Sequence, residues 1–193
     1  MRVAIEVGWS DMLDLSSNSR AKLLELARKS IRQHLNTGDS FAFHTEDSEL
    51  TMKVGCFVTL RQGDALRGCV GTFEAAKPLY ENVLRMACAA AFQDVRFSPV
   101  SKDELPGVRI NISVLGEPFK MKSIDEIELG KHGVLVQYGD KRGTFLPEVA
   151  LEKKWSAAEF ITFCARDKAD LSPAECAKAE VHLYEVLKFS EPS

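Results

Sequence analysis

The chain lacks the short motifs that announce nucleotide or metal chemistry. It has no P-loop and no G-x-G-x-x-G, so the two commonest nucleotide-binding fingerprints are excluded. Its five cysteines include no C-x-x-C pair, and its four histidines, 34, 44, 132 and 182, stand far apart. A zinc site draws its ligands from closely spaced Cys and His, so no metal and no other cofactor is expected. No apolar run approaches the roughly 18–20 residues that a membrane helix needs. The opening Met1-Arg2-Val3-Ala4-Ile5-Glu6 breaks its apolar stretch at a carboxylate, unlike a secretory signal, so a cytoplasmic location is expected. There is no excess of basic charge either. The net charge is −3 and the basic residues are scattered, which disfavours nucleic acid as a partner. Repeats, low-complexity tracts and linkers are also missing. What remains is 193 residues with 45% apolar and 27% charged content, enough for one globular domain with a small subdomain and no clear internal boundary.

The most informative stretch that is present is Leu66-Arg67-Gly68-Cys69-Val70-Gly71-Thr72. It follows an apolar segment, 54–60, and a turn-forming 61–65, which predicts an antiparallel hairpin. Glycines inside a strand mark a bulge or a close approach of a ligand or another backbone. Residues two apart share a face, so Arg67, Cys69 and Gly71 line up together. A guanidinium beside a thiol favours the thiolate, and a glycine leaves room against the sulfur.

Around this hairpin the periodicities alternate between helix and strand. Leu24, Ala27, Ile31 and Leu35 predict a helix over 17–35, capped by Ser16, Ser17 or Asn18 and stopped by Gly38. Pro78 opens a second helix whose alanines at 87 and 89–91 permit close packing on a sheet. Val108, Ile110, Ile112 and Val114 alternate with Arg109, Asn111 and Ser113, as in a half-covered strand. A short helix is expected over 123–129, then strands over 134–138 and 142–146, then a short helix from Pro147. Ser156 and Glu159 form a capping box before another helix. A single strand over 181–189 closes the chain. Hairpins and helices without regular βαβ alternation predict an α+β fold.

With those elements in place, the chain is seen to resemble the AMMECR family, whose prokaryotic members are also called AmmeMemoRadiSam system protein A. The likeness rests on the run 66–73 and continues through Pro78-Leu79, the stretch 94–100, Glu104-Leu105, the stretch 112–115, Gly130-Lys131-His132-Gly133, the stretch 144–150 and Trp155. Such a series in order is far more specific than R-G-C-x-G alone. The resemblance implies an α+β fold, an antiparallel sheet flanked by helices with a smaller subdomain, and a signature that faces a groove. It also implies association with a Memo-type protein and a radical-SAM protein, and it implies no reaction. This chain departs from the family's pattern at Val95, where proline is common, and at Glu148, where glutamine is common. Asp170 stands where glycine is usual.

Two classes of function stay open on this reading. In the first, a groove around Arg67, Gly68, Gly71 and Thr72 binds a small molecule or a partner, with Arg96, Thr144 and Glu148 contributing. Arg96 would act as a second cation, and Thr144 and Glu148 bracket the start of a helix. In the second, Cys69 is a nucleophile or redox thiol acting on a small anionic substrate, with His132 as its base. Each residue also has a structural reading: Cys69 filling a tight hairpin, His132 satisfied by backbone, Asp94 and Arg96 closing a turn. Trp155 reads as a hydrophobic anchor.

Overall fold

The computed structural model describes residues 15–73 and 75–192. It resolves into two compact units, one formed by residues 15–115 with 187–192, the other by 116–186. The mixture of helices and antiparallel strands makes the fold α+β.

The larger unit begins with α1 (Ser17–Thr37). Ser16 caps it by accepting the Ser19 N–H, and Gly38 ends it in the left-handed region at φ 77°. The predicted hairpin follows as β1 (Cys56–Gln62) and β2 (Ala65–Thr72). The strands run further than expected, so the turn shrinks to Gly63 and Asp64, with Gly63 supplying a φ of 58°. Helix α2 (Leu79–Phe92) packs its alanines inward, and Pro78 serves as its cap rather than its first residue. Strand β3 (Val108–Leu115) pairs antiparallel with β1, and with β8 (Val186–Ser190) the sheet order is β2-β1-β3-β8. Leu23, Ala27 and Ile31 of α1 join Val83 and Ala87 of α2 over Val58, Leu60, Ile110 and Ile112, all fully buried.

The half-covered reading of β3 needs correction. Its apolar residues are buried as expected, but Asn111 and Ser113 are buried too, so both faces of the strand are covered. Alternation in the sequence marks two faces without saying that the polar one meets water.

In the smaller unit, β4 (Phe119–Lys120), β5 (Gly133–Tyr138), β6 (Lys141–Phe145) and β7 (Glu180–Tyr184) form a second sheet in the order β4-β7-β5-β6. Short helix α3 (Pro147–Lys153) leads to α4 (Ala157–Asp167), which carries the predicted capping box, and α5 (Pro173–Cys176) carries another between Ser172 and Glu175. Phe160 and Cys164 of α4 pack on Val134, Val136 and Leu183. Trp155 meets Phe145 and Phe163 at ring separations of 5.6 and 4.5 Å, the anchor expected of it. The helix expected over 123–129 is a single 3-10 turn, Ile124–Glu126, because Ser123 caps only the Asp125 N–H before the chain turns out.

The strand expected over 181–189 is two strands. β7 ends at Tyr184 and belongs to the second sheet, whereas β8 (Val186–Ser190) belongs to the first. Tyr184, the last residue of β7, is fully buried. A period of two survives a change of pairing partner, so the sequence pattern runs straight through the break.

Candidate functional site

β2 is an edge strand, and the structure spends several side chains on closing that edge. In the pairing with β1, Cys69 lies opposite Thr59. The Cys69 N–H donates outward to Asp94 Oδ2 at 2.8 Å, and the Cys69 carbonyl accepts from Arg96 Nη2 at 3.2 Å. Asp94 and Arg96 are themselves joined twice, Nε to Oδ1 at 2.8 Å and Nη2 to Oδ2 at 2.6 Å. The Asp94-x-Arg96 segment therefore supplies, from side chains, the two bonds that a neighbouring strand would otherwise make.

Arg67 is engaged in the same way. Its Nε and Nη2 donate to Glu104 Oε1 and Oε2 at 3.0 and 3.2 Å, and Nη2 also reaches the Pro99 carbonyl at 3.3 Å. The Arg67 side chain is 11% exposed. The cation expected to activate the thiol is thus neutralised by a carboxylate. Arg96 guanidinium bonds and the Cys69 N–H hold the Asp94 carboxyl well below the usual range, at about 2, and Arg67 does the same for Glu104.

These shifts carry a sign. Asp94 has a depressed folded pKa, so its contribution is complete above the unfolded value near 4 and is lost as pH falls toward 2. With the Asp94 side chain 5% exposed, that contribution is about 2 kcal/mol. Acid titration of unfolding stability should show a decline between pH 4 and 2 that is smaller in Asp94→Asn. An unchanged titration would show that the Asp94–Arg96 pair does not hold the β2 edge.

The two glycines of the signature face opposite sides. Gly68 lies beneath α2, where a Cβ would stand 2.1 Å from the Ala90 carbonyl oxygen. Gly71 is on the side of Cys69, but the room it leaves is filled: a Cβ there would stand 2.2 Å from the Phe57 ring. Phe57 in turn meets Phe73 edge-on at 6.1 Å. Thr72 ends β2, opposite Cys56.

Strand register then exposes residues that the sequence reading missed. Thr59 is the partner of Cys69 on one side and of Asn111 on the other, so Cys69, Thr59 and Asn111 form one row across three strands. Cys69 Sγ and Thr59 Oγ1 lie 3.2 Å apart, within sulfur hydrogen-bond range. The Asn111 Oδ1 is buried without a hydrogen-bond partner among the described residues. The alternation of β3 placed Asn111 on the polar face, yet nothing in the sequence could pair β1 with β3 in this register.

The remaining candidates belong to the smaller unit. His132 is buried, and its Nδ1 accepts the Glu128 N–H at 3.1 Å. That assignment leaves the proton on Nε2, 3.9 Å from Glu185 Oε1, which also approaches Lys131 at 3.3 Å. Thr144 Oγ1 donates to the Val134 carbonyl at 2.8 Å and lies 2.7 Å from the Tyr184 hydroxyl. Glu148 sits in the first turn of α3, a helix of seven residues. The larger unit thus gathers Arg67, Gly68, Cys69, Gly71, Thr72 and Arg96, while His132, Thr144 and Glu148 lie in the other. Among the described residues, no group of three or more His, Cys, Asp or Glu could hold a metal ion, and no helix is long and apolar enough to cross a membrane.

Comparison with known proteins agrees with this anatomy. The AMMECR1 family model matches residues 24–189, and the chain belongs to that family. Protein MK0488 of Methanopyrus kandleri is 35% identical over 183 residues, covering 88% of this chain and 86% of its own. Protein NEQ441 of Nanoarchaeum equitans is likewise 35% identical, over 88% of this chain and 98% of its own. The crystal structure of the uncharacterized protein PH0010 from Pyrococcus horikoshii superposes with a TM-score of 0.84 at 30% identity, covering 92% of this chain and 93% of that one.

Proposed function

We propose that this chain is a cytoplasmic binding module whose recognition surface is the sheet face around the signature 66–71. The observation that carries this reading is the use made of the two arginines. Arg67 is held by Glu104 and Arg96 by Asp94, so each cation is already matched by a carboxylate, and Arg96 also braces the backbone of β2 at the Cys69 carbonyl. A braced strand with a half-buried thiol at its edge suits recognition, since a preorganised surface loses little freedom on binding. None of the five cysteines forms a disulfide, which suits a reducing compartment. The family resemblance names a Memo-type protein and a radical-SAM protein as the first partners to try.

Cys69→Ser separates this reading from a thiol enzyme. Serine keeps the shape but is a much poorer nucleophile at neutral pH, so partner capture should persist within about twofold. Arg67→Lys keeps the charge and loses the planar fork on Glu104, so capture should weaken several-fold. The measurement is a pull-down against both candidate partners with thermal unfolding run in parallel. Loss of capture in Cys69→Ser at unchanged Tm would favour Cys69 as a nucleophile or redox thiol instead.

A further inference from the structure

Resting on that binding face, its polar row has a feature that fold stability does not explain. Asn111 is 6% exposed and occupies the middle of a sheet, between β1 and β8. Its Oδ1 is shielded from water and has no hydrogen-bond partner among the described residues. A buried amide oxygen left unbonded costs about 1–3 kcal/mol, and leucine, which branches at the same carbon, would avoid that cost at this position. A group kept at such a cost in a packed sheet is a candidate for recognition. The row gives it an approach: Thr59 at 8% exposure and half-buried Cys69 at the sheet's edge lead inward to the amide.

We infer that Asn111 is a ligand-reading residue and that the row Cys69–Thr59–Asn111 accepts a carboxamide or amide-type group. The chemistry follows from the side chains. A carboxamide presents one acceptor and two donors in a plane, and the group that satisfies both edges at once is another amide. Exchanging the oxygen and nitrogen of Asn111 leaves this match intact, because the two edges simply swap roles. The Thr59 hydroxyl adds a donor or an acceptor beside them, and the Cys69 thiol borders the entrance at 3.2 Å from it. The row itself carries no formal charge, and the guanidinium and carboxylate on either side of Cys69's backbone neutralise each other. A carboxylate therefore gains nothing here over a carboxamide and loses the donor that Asn111 Oδ1 requires.

The test is Asn111→Leu in the full chain, read by thermal unfolding and by saturation-transfer NMR with acetamide and acetate as probes. If Oδ1 is held in reserve for a ligand, the leucine variant should unfold about 2–5 °C higher than the parent protein. The parent protein should transfer saturation to acetamide and not to acetate, and Asn111→Leu should lose at least three-quarters of the signal. A Tm lowered by several degrees in Asn111→Leu would mean that the amide is a structural group, and would overturn the inference. So would acetamide saturation that is absent from the parent protein or persists in Asn111→Leu. In that last case, continued partner capture with sensitivity to Arg67→Lys would leave the binding face standing without Asn111 as its reader.

Discussion

Replacing Gly68 with alanine should destabilise the protein by about 3 kcal/mol or more, the largest effect expected of any single methyl group here. The new Cβ would stand 2.1 Å from the Ala90 carbonyl oxygen and 3.1 Å from its carbonyl carbon. Those are backbone atoms in the last turn of α2, so no side-chain rotation relieves the contact. The helix must lift from the sheet, which loosens the burial of Ala87, Ala90 and Ala91 along its length. Chemical denaturation followed by circular dichroism would measure the loss. Gly63→Ala is a suitable contrast, since it strains a φ of 58° but meets nothing within 4 Å. It should cost roughly 1 kcal/mol. Equal costs for the two variants would show that helix-to-sheet closeness is not what holds Gly68 in place.

The second large effect is expected at Glu191. Its carboxylate accepts from Arg28 Nε and Nη2 at 2.6 and 2.5 Å and from the Ile110 N–H at 2.8 Å, beyond the end of β8. The Glu191 N–H returns to the Ile110 carbonyl at 3.0 Å. Arg28 also donates to the Leu105 and Val108 carbonyls, tying α1 to the loop before β3. Both side chains are less than a quarter exposed. Glu191→Gln leaves the Arg28 cation without its counter-charge and should cost about 2–4 kcal/mol. The double variant Arg28→Met with Glu191→Gln should cost less than Glu191→Gln alone, because no orphan charge remains. Denaturant midpoints of the three proteins would decide it, and strict additivity would count against the clasp.

Local patterns were readable in the sequence wherever one element's chemistry sufficed. The hairpin, the capping box at Ser156, the Pro147 helix start and the alanine face of α2 all depend on residues a few positions apart. What could not be read depends on residues brought together by folding. Arg67 lies beside Cys69 in the hairpin, yet its charge is claimed by Glu104, 37 positions later. Gly71 suggests a vacancy, yet Phe57 fills it from the opposite strand. Asn111 entered the sequence reading only as part of an alternating pattern, since its place beside Thr59 is fixed by a pairing between distant strands. The continuous pattern over 181–189 concealed a change of sheet for the same reason.

That change of sheet has a consequence for biosynthesis. β3 and β8 are neighbours in the first sheet, yet the whole segment 116–186 is translated between them. The ends of that segment meet, with the Gly116 N–H donating to the Glu185 carbonyl at 2.9 Å. A nascent chain halted anywhere in the segment has made β2, β1 and β3 but leaves one flank of β3 bare, offering an unpaired strand to other chains. The smaller unit, with its own sheet and core, can close on itself while the larger one waits for β8. Truncation just before Leu187 thus withholds β8 from an otherwise complete sheet, making that strand the latch of the part of the larger unit synthesised before segment 116–186.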